Sequence, residues 1–207
     1  MRYFDSPEIL EKRLIHPHIV DALNRSQRIQ RKLLRYQAAA LYQIAEHYNF
    51  GAARVLEIGT FAGYSASIIA QAAPMAEIET LNPVPHEVVT AEKNLQPFKN
   101  VKVIQSKSWD YFKGYYGKPF DFIFVDGDHN RIGLDLPWFN MLKTGGLMLF
   151  HDYHPTQSRI VYTALNTMLV ELGRKDFDIA IVDTNQNGMV GIYRKENELW
   201  PMQTPAI

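Results

Sequence analysis

Two runs of ionisable residues in this chain each close an apolar stretch. One reads Phe120-Asp121-Phe122-Ile123-Phe124-Val125-Asp126-Gly127-Asp128-His129, the other Gly145-Gly146-Leu147-Met148-Leu149-Phe150-His151-Asp152-Tyr153-His154. If both stretches are neighbouring strands, Asp126, Asp128, His129, His151, Asp152 and His154 crowd one rim of a sheet. Carboxylate oxygens suit Mg²⁺, Ca²⁺ or Mn²⁺, and added imidazoles shift the preference toward transition metals. A hydrogen-bonded cluster of polar strand ends, with no ion, is the plainer alternative. A histidine there could also take a proton near neutral pH.

A third segment, Val55-Leu56-Glu57-Ile58-Gly59-Thr60-Phe61-Ala62-Gly63-Tyr64-Ser65, reads as a buried strand, a glycine-rich turn and the start of a helix. Gly59 and Gly63 let the backbone turn sharply and leave room for a flat ligand. Glu57 lies near the carboxyl end of the strand, where open α/β sheets bind ligands. The turn amides and the helix N-terminus can take a carboxylate, and Glu57 can accept from an ammonium group. The spacing is G-x-x-x-G rather than the G-x-G-x-x-G of dinucleotide enzymes, which disfavours a nicotinamide oxidoreductase. A tight turn that binds nothing would need the glycines but not the acid.

The elements that must carry these residues follow from hydrophobic periodicity. Strand-like runs occur at Ala53–Ile58, Ala76–Leu81, Val101–Gln105, Phe120–Val125, Gly146–Phe150, Phe177–Val182 and Met189–Tyr193. Helix-like stretches at Tyr64–Ala73, His86–Leu95, Ser108–Phe112, Leu134–Leu142 and Gln157–Leu172 separate most of them. This alternation predicts a doubly wound α/β fold with a seven-stranded, mostly parallel sheet. The polar turn Asp183–Gly188 predicts an antiparallel hairpin at one edge. Ahead of the body, residues 7–48 read as helical with a break near Pro17 and a start at Ser6-Pro7. One domain is expected over 1–207: a helical extension (1–50), an α/β core (51–195) and an irregular tail (196–207).

Composition narrows the classes. The chain has 207 residues, 46% of them hydrophobic, enough for one substantial core. Lys+Arg and Asp+Glu are 22 each, so bulk charge gives no case for nucleic acid or an anionic membrane. The absence of cysteine excludes disulfides, thiolate zinc sites and a cysteine nucleophile. The start has no apolar signal core and the longest apolar runs are strand-sized, so a soluble, cytoplasmic protein is expected. Arg25, Arg28, Arg31, Lys32 and Arg35 would share much of one helical face, either solvated or clamping an anionic substrate. Trp109, Trp138, Tyr111, Phe112, Tyr115 and Tyr116 could wall a pocket or serve core or dimer packing.

The glycine turn resembles motif I of the class I S-adenosylmethionine (SAM)-dependent methyltransferases. Asp-Gly-Asp-His after an apolar strand, followed by Leu142-Lys143-x-Gly145-Gly146 and a strand ending His-Asp-Tyr, is similar to one branch of them, the small-molecule O-methyltransferases of the catechol and macrolide-sugar kind. The likeness covers about residues 53–155, and the flanks only by architecture.

The resemblance implies a Rossmann-like methyltransferase fold and methyl transfer from SAM to a hydroxyl of a small molecule. It implies cofactor contacts at Glu57, Gly59, Thr60, Phe61, Gly63, Tyr64, Ser65, Asn82, Ser106, Lys107, Ser108 and Asp126. It also implies a divalent cation, Mg²⁺ or similar, on Asp126 and Asp152, with His151 or Tyr153 as third ligand and Asp128 or His129 as general base. Two positions depart from the pattern: Asn82 stands where a ribose-binding acid is expected, and Lys107 cannot accept from an adenine amino group. A SAM-binding protein with weak or no catalysis is the alternative these departures raise. The helical preface is expected to line the acceptor pocket or to form a dimer interface, so a homo-oligomer is among the expected partners.

Overall fold

The computed structural model describes residues 2–3, 16–181 and 188–199. Its eight strands are β1 (Arg2–Tyr3), β2 (Arg54–Ile58), β3 (Glu77–Asn82), β4 (Val101–Gln105), β5 (Phe120–Val125), β6 (Leu142–Tyr153), β7 (Ile179–Ile181) and β8 (Gly188–Tyr193). The helices are α1 (Pro17–Arg25), α2 (Arg35–Glu46), α3 (Tyr64–Ala72), α4 (Pro85–Leu95), α5 (Ser108–Lys113) and α6 (Arg159–Glu171). The strands form one sheet in the order β1-β7-β8-β6-β5-β2-β3-β4. Only β8 runs antiparallel to its neighbours.

All seven predicted strands are present, and the two-residue β1 adds an edge beside β7. The antiparallel strand is not at the edge as expected: β8 inserts between β6 and β7, covering its apolar residues on both sides. The turn 183–187, the start at Ser6-Pro7, the helical expectation for 7–15 and the tail from 200 lie outside the described residues.

Alternation along the strands builds two cores. Val55, Phe122, Phe124, Leu147 and Leu149 face α1, α2 and α3 on one side of the sheet. Leu56, Ile123, Val125, Met148 and Phe150 face α6 and the segment after β5 on the other. Every residue of β5 is buried, as suits a central parallel strand covered on both faces.

Two helical expectations change. The stretch Leu134–Leu142 forms short 3₁₀ turns at His129–Leu134 and Leu136–Met141 instead of an α-helix, with Pro137 at the start of the second. The preface is two helices, with α1 opening at Pro17 and the chain leaving helix after Arg25. Buried Ser26 explains the break: its hydroxyl accepts from Ser67 Oγ at 2.8 Å and Gln71 Nε2 at 2.9 Å, tethering the chain to α3. The basic stretch therefore lies mostly on the loop between α1 and α2, not along one helical face. No helix among the described residues is long and apolar enough to cross a membrane.

Candidate active site

The chain reverses its direction of sheet growth at β2, which pairs with β3 on one side and β5 on the other. Doubly wound sheets bind ligands at such a switch point, outside the carboxyl ends of the strands. Ile58 is in register with Leu81 and Val125, and Val125 with Phe150, so Gly59, Asn82, Asp126 and His151 follow on one rim. A cavity of about 450 Å³ opens there. Gly59, Thr60, Phe61, Tyr64, Ser65, Asn82, Ser106, Lys107, Ser108, Asp126 and Asp128 line it; Glu57 and Gly63 stand outside this lining.

The glycine turn is shaped by close backbone contacts. Gly59 has φ +108°, and a Cβ there would lie 2.1 Å from the Asp126 carbonyl oxygen. Gly63 caps α3 at φ +90°, where a Cβ would meet Leu95 at 2.9 Å. Glu57 is fully buried beneath the turn, its Oε2 accepting from the Thr80 hydroxyl. Its Oε1 is buried with no hydrogen-bond partner among the described residues. Burial pushes Glu57 up to about 7, the Ser65 and Thr80 hydroxyls opposing and Asp126 adding to it. A buried acceptor with a free oxygen beside a glycine cradle fits the ammonium end of an amino-acid ligand.

On the far side of the cavity, Asn82 is buried at the end of β3, its amide donating to Glu87 Oε2 at 2.9 Å. Lys107 Nζ lies 5.6 Å from the Trp109 ring centre, with the Arg131 guanidinium 5.5 Å from it. The Ser108 hydroxyl donates to Asp135, which burial pushes up to about 7. Lys32, from the basic loop, reaches the cavity over the Phe61 ring. Trp138 is core, packed against Phe112, Tyr115 and Phe120, whereas Trp109 lines the cavity.

The acidic rim is compact. His129 Nε2 is 2.9 Å from Asp152 Oδ2 and 3.7 Å from Asp126 Oδ1, and His151 Nδ1 is 3.0 Å from Asp126 Oδ1. A register shift between Phe150 and Tyr153 and a left-handed Asp152 (φ +60°) turn β6 at this point, and bulges of this sort re-aim side chains beside functional sites. The carboxylates of Asp126 and Asp152 beside its ring push His129 up to about 9 against its burial. Burial opposes charge on Asp126 and Asp152, but the two imidazoles outweigh it and hold both carboxyls below their ordinary range.

Asp126, His129 and Asp152 each offer a ligand atom, all within 4.8 Å of one another, which fits a divalent cation. His151, expected as a ligand, is not in that set. Its Nδ1 faces the two carboxylates and its Nε2 faces Gln37 Oε1 at 3.2 Å, so neither nitrogen offers a lone pair. Asp128 stands apart, accepting from the Asn130 amide at 3.1 Å and facing Arg131. His154 serves its own turn, accepting from the Gln157 amide at 3.1 Å.

Gln37, Glu87, Arg131 and Asp135 border this site and were not singled out in the sequence. Gln37 is the third residue of α2, and the residue at the helix cap is Leu34 rather than Ser, Thr, Asp or Asn, so no capping signature marks it in the sequence. Asp135, seven residues after His129's neighbour Asp128, carried a faint signal as an isolated acid in an otherwise apolar run.

Residues 56–153 match the model of a methyltransferase domain family. A catechol O-methyltransferase of Mycobacterium tuberculosis is 32% identical over 105 residues, 49% of this chain and 48% of that protein, so the chain spans about half the length of this relative. An O-methyltransferase from Bacillus cereus in complex with SAH superimposes with a TM-score of 0.66 at 16% identity, covering 92% of this chain and 93% of the other. An O-methyltransferase from Streptomyces achromogenes involved in tomaymycin synthesis, in complex with SAM, gives 0.64 at 20% identity over 86% and 90%. Residues 56–153 are thus similar to a methyltransferase domain, and the fold that surrounds them is shared with solved O-methyltransferases.

Proposed function

We propose that this chain is a SAM-dependent O-methyltransferase acting on a small hydroxylated molecule with the help of a divalent cation. The observation that carries the reading is one cavity bounded by the glycine turn on one side and by Asp126 on the other. Bound SAM would supply an electrophilic methyl group. A cation on Asp126, His129 and Asp152 would supply Lewis acidity, lowering the pKa of an acceptor hydroxyl and fixing its direction.

The chain's own residues do the rest. Gly59 and the turn amides hold the carboxylate of the amino-acid end, and Glu57 takes its ammonium group. Asn82, Ser106, Lys107 and Ser108 border the nucleoside. His129 as a ligand has no free lone pair, which leaves Asp128 to take the hydroxyl proton. Alignment of the hydroxyl oxygen with the methyl carbon is the main source of rate. The cysteine-free composition agrees with a cytoplasmic setting.

The test is transfer of labelled methyl from SAM to a panel of catechols and other vicinal diols, with and without EDTA. Methylation that chelation abolishes and added Mg²⁺ or Mn²⁺ restores is expected. Failure of SAM to bind in calorimetry would overturn the whole reading, while methylation indifferent to EDTA would remove only the cation.

A further inference from the structure

Strand β3 ends in an amide where a doubly wound sheet presents the ribose of a bound nucleoside. Asn82 is 4% exposed and both ends of its side chain are engaged. Oδ1 accepts from the Val84 amide at 3.2 Å, and Nδ2 donates to Glu87 Oε2 at 2.9 Å. Glu87 sits in the first turn of α4, where the helix end favours negative charge, and it lines the same cavity as Asn82. Its Oε1 carries no hydrogen bond among the described residues.

We propose that Glu87 is the carboxylate that binds the ribose hydroxyls of the nucleoside, and that Asn82 is the residue that positions it. Two vicinal hydroxyls are two donors at fixed spacing, and one ionised carboxylate presents two oxygens able to take both. An amide can accept only through its oxygen, which in Asn82 already serves the β3–α4 turn. The Asn82 N–H holds one Glu87 oxygen by the edge and leaves it a second lone pair for a hydroxyl. The strand end thus recovers, five residues later, the charge that it lacks.

This inference rests on the reading of the cavity as a SAM site, and calorimetry with SAH separates the two. Wild-type protein is expected to bind SAH and to bind its 2′-deoxyribose analogue about ten- to a hundredfold more weakly. Glu87→Gln is expected to lose a similar factor for SAH and to discriminate little between the two ligands. Asn82→Asp added to Glu87→Gln returns a carboxylate to the strand end and is expected to recover most of the affinity. Glu87→Gln binding SAH within about twofold of wild type, or keeping the wild-type discrimination, would overturn the role of Glu87 and leave the SAM site standing. Absence of SAH binding in the wild type would remove both. The wild-type comparison of the two ligands needs no variant to fold.

Discussion

Gln37 and His151, 114 positions apart, meet across the sheet with Gln37 Oε1 3.2 Å from His151 Nε2. The same Gln37 oxygen accepts from the Leu34 amide at 2.9 Å, which fixes the side-chain amide with its oxygen toward the histidine. His151 Nδ1 faces Asp126 Oδ1 at 3.0 Å and Asp152 Oδ2 at 3.2 Å. Every partner is an acceptor, so both ring nitrogens donate and His151 is an imidazolium. Burial works against that charge, but Asp126 and Asp152 outweigh it and push the group up to about 10. His151 is therefore a fixed cation that ties the N-terminal helices to the acidic rim.

Gln37→Leu removes the acceptor and leaves a buried N–H unpaired. A loss of about 1–3 kcal/mol in unfolding free energy is expected from urea denaturation. Gln37→Glu keeps an acceptor and should recover most of it. Equal stability of Gln37→Leu and wild type would show that the link carries no energy.

The cation set predicted from the geometry is Asp126, His129 and Asp152, with His151 outside it. Titration of Mn²⁺ into the protein, followed by calorimetry, should show His129→Ala binding at least about tenfold more weakly. Asp152→Asn should do the same. Unchanged Mn²⁺ affinity in both would rule out this site.

Gly59→Ala asks two things that the fold does not allow. The residue would hold a side chain at φ +108°, and its Cβ would press on the Asp126 carbonyl 2.1 Å away. Separating β2 from the turn after β5 is expected to cost over ~2 kcal/mol and to open the cavity floor. Thermal melting and SAH calorimetry check the two effects, and a variant that melts and binds like wild type would refute the close approach.

Much of this was legible because it rests on local pattern. Continuous apolar runs such as Phe120–Val125 mark central strands, and the glycines at 59 and 63 mark the turn whatever lies around them. The ionisable groups that crowd the rim could be read as well, since Asp126 follows the apolar run ending at Val125 and His151 the one ending at Phe150. What could not be read depends on contacts between distant segments. His151 and His129 look interchangeable in sequence, and only the arrival of Gln37 from α2 turns one into a donor on both sides. The basic stretch from Arg25 to Arg35 keeps helical spacing, yet Ser26 is held by Ser67 and Gln71 and the helix stops. Insertion of β8 beside β6 likewise follows from burial on both sides, which no turn motif specifies.

Asp135 gives a pH-dependent prediction. It is 2% exposed, it accepts from the Ser108 hydroxyl, and burial lifts it from 3.8 to about 7, with Asp128 adding and His129 opposing. The folded state therefore prefers the protonated acid more than the unfolded chain does. Stability from this group is complete below about pH 4 and is lost as pH rises toward 7. Asp135→Asn imitates the neutral form and still accepts from Ser108. The variant should match wild type near pH 4 and gain on it steadily to pH 7, by on the order of 2–4 kcal/mol, with no further change above. Urea unfolding across that range measures it. A difference between the two proteins that stays constant with pH would mean that Asp135 is ionised in the fold, held by its neighbours against the cost of burial.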